Sequence, residues 1–475
     1  MKPKVVLASV SVNSEYLLTK YYYKLPSLGI GYIAAVLEKR GYEVQLVDKT
    51  IAQEEIPALA TEIVAMKPDV VGFYSVSENF KNVLEILKHI KEKESSITTL
   101  VGGAHVYGLP VESMSYEWID YAIWGEAEES FAKLLDCNFD SQHFSEIEGL
   151  IYRENNEVKI NPMALVHDLD SLPFPARHLY SPLDMYRPSI LAYKRLPATG
   201  MLTSRGCSHK CVFCHSGKGL FKLRFHSAQY VLEEIKMLHR DYGINEFVLF
   251  DDTFTIRKSR VFEICEGILK EGLNISWSCN ARVNDITPEL LTVMKRSGCW
   301  MMQYGVESGN QEILKIIKKG TKLEQIMKAC QLTIDMGMQV KAYFILGHPG
   351  ETVETLNDTI DFMSKLPAHY ASINFMTPLP GTELWDTAEQ YGTIDKEKLE
   401  KINYLSDRPA FIPFGLTEEI LTDKFRKAYL KFYLNPKTIF RHLKSFRTIE
   451  DFKKIPVAGS ILTSLIWAKL FNKSA

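Results

Sequence analysis

The stretch TSRGCSHKCVFCHSG, Thr203 to Gly217, holds three of the chain's eight cysteines within eight residues. Their spacing is C-x3-C-x2-C, with His209 and His215 beside them. A structural zinc site takes four ligands, commonly two C-x2-C pairs or cysteine with histidine. Here one such pair stands with one wider step, and no second cysteine pair follows. The two histidines lie in the same tight loop, where a four-ligand wrap is strained. Ferredoxin clusters use a further cysteine in other spacings. Three thiolates on a [4Fe-4S] cluster leave one iron without a protein ligand, open to a chelating amine and carboxylate. The spacing favours such a cluster over zinc, and over a disulfide most of all.

The rest of the composition agrees with a metal or redox site. Cys137, Cys265, Cys279, Cys299 and Cys330 are scattered through apolar or helix-like segments. That is the pattern of reduced, buried cysteines in a cytoplasmic protein, not of a disulfide framework. The N-terminus shows no apolar signal segment, and no apolar run approaches the roughly 18 residues that span a bilayer. A length of 475 residues predicts two or three domains, and a net charge of −2 offers no field for nucleic acid.

Working outward from the cysteines, the order of elements predicts two α/β units. In the first, KVVLASV, EVQLVD, VVGFYSV, TTLVGGAH and a short strand in DYAIWG alternate with helices such as LGIGYIAAVLEKRGY and NFKNVLEILKHIKEK. Repeated βα units of this length predict a doubly wound, Rossmann-like parallel sheet over residues 1–140, whose ligands lie beyond the strand ends. Those ends carry Ser9, Ser75, Gly102, Gly103, His105, Gly125 and Glu126. Residues 141–192 read as a connector holding a hairpin, GLIYRENNEVKI, and the proline-rich SLPFPARHLY. From 193 to 420 the strand candidates are TGMLTSRG, EFVLFDD, ISWSCNAR, WMMQYGVES, QVKAYFILG and YASINFM, separated by helices that mostly end in glycine. Six such units predict a partial (βα)6 barrel with the cysteine loop at its C-terminal mouth. Residues 421–475 read as a helical, basic tail.

The cysteine segment resembles the signature of the radical S-adenosylmethionine (SAM) superfamily, including Phe213 just before the last cysteine. FVLFDDTFTIRKSRVFEICEGI, WSCNARV, QYGVESGNQEILKIIKKGT, AYFILGHPGET and TPLPGTELW are similar to later barrel segments of that superfamily. LPSLGIGYIAAVLEKRGYEVQLVD and GGAHVYGLPVESM resemble the cobalamin-binding domain that precedes the barrel in cobalamin-dependent members, the class B methylases.

This resemblance implies a [4Fe-4S] cluster on Cys207, Cys211 and Cys214, and SAM on the open iron. Reductive cleavage of SAM would give a 5′-deoxyadenosyl radical for C-methylation of an unactivated carbon. It further implies that Phe213, Arg282, Glu307 and Gly347 contact SAM, with Glu307 on the ribose and Arg282 on the carboxylate. Ion pairs within the protein are the plainer reading of Glu307 and Arg282. Cobalamin would lie against Gly102 and Gly103, with Ser75, Ser77, Gly125 and Glu126 next to it. The axial-histidine motif Asp-x-His-x-x-Gly is absent, so His105 reads as a loop or surface residue. Asp251 and Asp252 are expected either to orient substrate or to cap a helix. Implied partners are a small-molecule or lipid-like substrate and a reductant such as flavodoxin or ferredoxin, with no nucleic acid; the basic, apolar C-terminal tail itself reads either as a packing helix or as a peripheral membrane contact. The same architecture also admits cyclisation, oxidation or rearrangement, and a zinc-bound scaffold without activity is the reading from another class.

Overall fold

Runs of valine, leucine and alanine become strands whose alternate residues feed two separate cores. The computed structural model describes residues 2–10, 25–49, 55–189, 192–219, 221–400, 408–445 and residue 459. Strands β1 (Lys4–Val10), β2 (Glu43–Lys49), β3 (Val70–Tyr74), β4 (Thr98–Gly102) and β5 (Tyr121–Ile123) form a parallel sheet in the order β2-β1-β3-β4-β5. In β1, Val6 and Ala8 face the helices Ile56–Ala65 and Phe80–Lys93. Val5 and Leu7 face the helices Leu28–Lys39 and Glu128–Asp136, in a core continuous with that of the barrel. The strand order reverses between β1 and β3, which places a crevice beyond their C-terminal ends.

The hairpin expected in the connector forms as β6 (Leu150–Glu154) and β7 (Glu157–Ile160). It does not stand apart, however. β6 pairs antiparallel with β5, so the hairpin completes the first sheet. A three-residue β5 left as an edge would expose unpaired backbone groups, and the hairpin covers them.

The barrel begins at β8 (Ala198–Met201). The TGMLTSRG run then breaks, and its end forms a short antiparallel pair, β9 (Ser204–Arg205) with β10 (Arg224–Phe225). β11 (Glu246–Leu249), β12 (Ser276–Ala281), β13 (Cys299–Glu307), β14 (Gln339–Leu346) and β15 (Tyr370–Phe375) follow, all parallel, in the order β15-β14-β13-β12-β11-β8. The expected six-stranded half-barrel is therefore present. Its helices show ordinary end chemistry. Ser227 caps the helix Ala228–Tyr242, and Gly243 closes it at φ +66 with nothing near its missing side chain, so backbone conformation alone requires glycine there.

An open barrel has an edge at β15, and the helix Glu418–Tyr433 manages it. Tyr429 and Tyr433, one turn apart, bring their hydroxyls to that edge. Tyr429 Oη accepts from Ile373 N at 3.1 Å, and Tyr433 Oη accepts from Ala371 N at 3.1 Å and donates to Ala371 O at 2.9 Å. Residues 446–475 of the tail, apart from 459, lie outside the described residues.

The double substitution Tyr429→Phe with Tyr433→Phe leaves two buried N–H groups unpaired. Each is expected to cost about 1–3 kcal/mol. Thermal unfolding should show a midpoint several degrees lower, whereas Tyr391→Phe at an exposed position should leave it unchanged.

Candidate active site between the two domains

The cysteine loop is fastened from below before any cofactor enters. Asp251, fully buried at the end of β11, accepts from Thr203 N at 2.7 Å, Thr203 Oγ1 at 2.5 Å and Ser204 Oγ at 2.5 Å. Arg260 donates to Thr203 O at 2.6 Å and to His226 O at 2.7 Å. Asp251 thus holds the loop rather than a substrate or a helix end. Within the loop Gly217 packs on Cys211 O, where a side chain would collide. His215 Nε2 lies 2.8 Å from Pro380 O, so this histidine faces the Pro-Gly-Thr loop. All eight cysteines are free thiols, and four of the scattered five are buried.

Cys207, Cys211 and Cys214 lie within electrostatic reach of one another. Burial pushes the Cys214 thiol up to about 11 and raises Cys207 as well, so both are protonated in the bare loop and must lose protons to ligate. Among the described residues no three His, Cys, Asp or Glu side chains converge on a single ion. A four-iron cluster asks for something else, since each thiolate takes a different iron.

Beside the thiols is a buried polar group of residues from β12, β13 and β14. Arg282 places a guanidinium nitrogen 3.9 Å from Cys211 Sγ and donates to Lys319 O, while its Nε has no partner among the described residues. Glu307, at φ +69 on the end of β13, pairs with Lys319 Nζ at 2.7 Å, and both are buried. Phe213 stands 6.2 Å from the ring of His348. Burial lowers the His348 pKa to about 4, which leaves the ring neutral, and its Nδ1 has no partner among the described residues. Gly347 N donates to Glu351 Oε2 at 2.5 Å, and His348 N donates to the same oxygen at 3.0 Å. So Phe213, Arg282, Glu307 and Gly347 do come together. Lys319 and His348 join them unannounced by any motif, and Arg282 forms no carboxylate pair among the described residues. Unpartnered buried nitrogens next to a thiol trio fit a cluster with a polar organic ligand.

The cysteine loop and the first domain share one cavity of about 450 Å³. Gly102, Gly103, Gly125 and Glu126 line one side, and Ser204, Arg205, Gly206, His215, Ser216 and Asp252 the other. Gly103 must be glycine for the chain's own sake, with φ +108 and Ser75 O where a Cβ would go. Gly29 and Gly102 are different. Both line the cavity, Gly29 has nothing within 4 Å of a built Cβ, and the nearest atom to that of Gly102 is 3.8 Å away. Packing does not exclude a side chain at either position, so the bare backbone serves the cavity, as a large flat ligand requires. Ser75 and Ser77 do not line it. Ser75 Oγ donates to Gly102 O at 3.1 Å, and Ser77 Oγ meets His105 Nδ1 at 3.2 Å. His105 is buried in the helix Ala104–Gly108 and stacked on Phe80 at 3.7 Å, which corrects its reading as a loop or surface residue. The apolar Phe80 ring fixes it there, and burial holds its pKa down to about 4.

Glu126 is committed to the protein. Arg224 forms a two-pronged pair with it at 2.6 and 2.8 Å, Arg205 lies at 3.4 Å, and Val166 N donates at 2.6 Å. Burial raises its pKa, but the Arg224 hydrogen bond and the two cationic charges outweigh that, and the net shift is downward. Arg205 also pairs with Glu128 at 2.7 Å and lies over the Tyr32 ring at 5.0 Å. These four charges join the first domain to the β9–β10 pair, whose Arg205 lies two residues before Cys207.

Comparison with known proteins agrees with this arrangement. Residues 201–363 match the family model of the radical SAM superfamily, and residues 15–135 match that of the B12-binding domain. A protein of Pyrococcus horikoshii named as an uncharacterised methyltransferase is 33% identical over 421 residues, covering 88% of this chain and 90% of its own length. The cytidylyl-2-hydroxyethylphosphonate methyltransferase of Streptomyces wedmorensis is 29% identical, over 79% of this chain and 80% of that one. The solved structure of the radical SAM methyltransferase TsrM of Kitasatospora setae, with cobalamin and a [4Fe-4S] cluster bound, shares the fold. Its TM-score is 0.66 at 18% identity, over 90% of this chain and 85% of that one.

Two predictions follow from the geometry. Glu126→Gln removes the charge facing the buried Arg224 and is expected to destabilise the chain by about 1–3 kcal/mol, since Arg205 keeps Glu128. The thermal midpoint without cobalamin should fall; a residue that only contacts the cofactor would leave that midpoint alone. Glu351 is fully buried, and burial raises its carboxyl pKa from 4.5 to about 8. The folded chain therefore holds a proton that the unfolded chain releases between these values, so this group's contribution is full below about 4.5 and lost as pH rises through about 8. The slope is up to about 1.4 kcal/mol per pH unit. Glu351→Gln, which keeps the acceptor for Gly347 and His348, should flatten that loss in urea titrations compared between about pH 5 and about pH 8.5.

Proposed function

Because the chain belongs to the cobalamin-binding radical SAM methyltransferase-like family, we propose that it methylates an unactivated carbon of a small-molecule substrate in the cavity between its two domains. It is a radical SAM enzyme, with a [4Fe-4S] cluster, SAM and cobalamin as its cofactors. When bound, these supply an organic radical and a transferable methyl group, and the protein supplies position and dryness. The reading rests on one observation, that cysteine-loop residues and the glycine-bearing strand ends of the first domain line the same cavity.

In this reading Cys207, Cys211 and Cys214 carry the cluster. The Arg282 guanidinium keeps positive charge beside Cys211 and offers donors to a carboxylate. Glu307 accepts from ribose hydroxyls while Lys319 neutralises it, and Phe213 walls the purine side. The backbone at Gly347 gives close approach to the nucleoside. On the cobalamin side Gly29, Gly102 and Gly103 present bare backbone. The largely apolar wall of Leu7, Ile33, Leu100, Leu202 and Phe250 keeps water out. Ser75 and Ser77 act through the backbone and side chains they hold. A flavodoxin- or ferredoxin-type protein delivers the electron.

Methyl loading can be tested without knowing the acceptor. The anaerobically reconstituted chain, given SAM and reduced cobalamin, should form S-adenosylhomocysteine and methylcobalamin in equal amounts. With dithionite as reductant it should also release 5′-deoxyadenosine. Cys207→Ala, Cys211→Ala or Cys214→Ala should lower deoxyadenosine release at least about a hundredfold, the loss expected when a transition-state requirement is removed. Deoxyadenosine without either methyl-transfer product would overturn the methylation reading and leave radical chemistry of another kind.

A further inference from the structure

The end of the barrel opposite the mouth carries a surface of its own. The helix Pro436–Ser445 packs there, against the start of β15. Arg441 donates to Ala368 O at 2.6 Å, the His442 ring lies 5.0 Å from that of Tyr370, and Thr438 is buried beneath the helix. Those residues share one face. On the other, Ile439, Phe440 and Leu443 are 44%, 68% and 60% exposed, and Leu434 just before the helix is 52% exposed. Positions 439, 440 and 443 fall on a single stripe at helical spacing. Lys437 and Lys444, one heptad apart and exposed, border it on the Phe440 side, with no ion pair to a carboxylate among the described residues. A stripe of three large apolar side chains in water is what a folded monomer normally covers.

Charge points to what covers it. Residues 436–475 contain eight Lys or Arg and two Asp or Glu, a net of +6, while the whole chain is −2, so residues 1–435 carry −8. The positive charge is thus gathered at the end of the sequence that begins with this helix, which itself carries Lys437, Arg441 and Lys444 and no carboxylate. A second feature lies at the same end of the barrel. Lys194, Arg195 and Lys295 line a cleft of about 290 Å³ with Ser276, Gly298 and Trp300, at the starts of β12 and β13. Trp300 packs with Tyr370, which in turn meets His442, so cleft and helix are neighbours joined through a buried cluster.

We propose that this base of the barrel docks on an anionic lipid membrane, the stripe of Ile439, Phe440 and Leu443 entering the acyl boundary and the Lys194–Arg195–Lys295 cleft receiving lipid phosphate. An interfacial helix has these parts: an apolar face, a lysine border and net positive charge. No helix among the described residues is long and apolar enough to cross a membrane. The cavity that holds the chemistry opens at the other end of the strands. The membrane therefore fixes where the enzyme works, and its substrate enters from the aqueous side.

The test is flotation of the full chain with vesicles of phosphatidylcholine alone or mixed with phosphatidylglycerol. The chain should float with the anionic vesicles at least about tenfold more than with neutral ones, and raised salt should release it. Phe440→Glu with Leu443→Glu, and separately Lys437→Ser with Lys444→Ser, should each weaken binding about tenfold or more. All four positions are exposed, so the cluster absorbance and SAM cleavage of these variants should match the parent. Lys295→Ser should weaken binding to anionic vesicles but not the residual binding to neutral ones. The proposal is overturned if the parent ignores anionic vesicles, or if the Phe440/Leu443 variant floats as well as the parent. It is equally overturned if that variant only converts a dimer to a monomer in size-exclusion chromatography, since the stripe then belongs to a second copy. If inorganic phosphate displaces the chain no better than chloride at matched ionic strength, the headgroup reading stands. Release by low phosphate alone would assign the cleft to free phosphate and overturn its part in docking.

Discussion

A carboxylate largely withdrawn from water must be neutralised where it stands, and Glu126, its side chain 11% exposed, is neutralised from the other domain. Its two oxygens meet Arg224 from the barrel's first hairpin, with Arg205 of the same hairpin close by. Ion pairs taken out of water gain little net stability, because desolvation offsets the attraction. What they enforce is register. Arg205 cannot leave Glu126 and Glu128 without stranding buried charge, and Arg205 lies two residues before Cys207. The geometry between the strand ends of the first sheet and the cysteine loop is thereby fixed from the protein's side. Asp251 fixes the same loop from the barrel's side through Thr203 and Ser204.

Between these two anchors the chain leaves space. Gly29 and Gly102 keep a surface bare that packing among the described residues would allow to be filled. Among the described residues neither glycine has a packing reason, and both border the cavity. Gly103 beside them teaches the opposite lesson. Its positive φ and its contact with Ser75 O make it necessary with or without a ligand. Equal residue types at neighbouring positions thus carry different weight, and only the structure separates them.

Much of the fold was legible because its signals are local. β-branched runs bounded by turns mark all the long parallel strands, and glycines mark the helix ends. The cysteine trio was legible for the same reason, since eight residues contain it. What escaped depends on pairing across the chain. Glu126 and Arg224 are 98 residues apart, so the clamp that Glu126 forms between the domains, besides lining the cavity, is visible only in three dimensions. The β6–β7 hairpin was legible as a hairpin, but its membership of the first sheet was not, because a free β5 edge is visible only in three dimensions. Lys319 and His348 reach the site from loops after a helix and a strand, and nothing in their own segments distinguishes them. His105 looked superficial because one residue's burial depends on Phe80, which is 25 positions away in sequence.

The polar groups around the cavity also limit what the protein itself does there. Among the described residues three carboxylates line it. Glu126 and Glu128 are both engaged by arginines, Glu126 by Arg205 and Arg224 and Glu128 by Arg205. Asp252 keeps a hydrogen bond from Ser216 Oγ at 3.1 Å, and burial raises its pKa first, with the Asp251 charge adding to it. Histidine offers no ready alternative. Burial lowers the pKa of His215, which lines the cavity, and its Nε2 is already engaged at Pro380 O. A site built for acid–base chemistry would set a free acid and a free base apart in pKa and within reach of one point. This one commits most of its ionisable groups to holding loops and domains in place and surrounds the remaining space with apolar side chains. That division suits chemistry carried by bound cofactors, where the protein's share is to bring two of them face to face and keep water out.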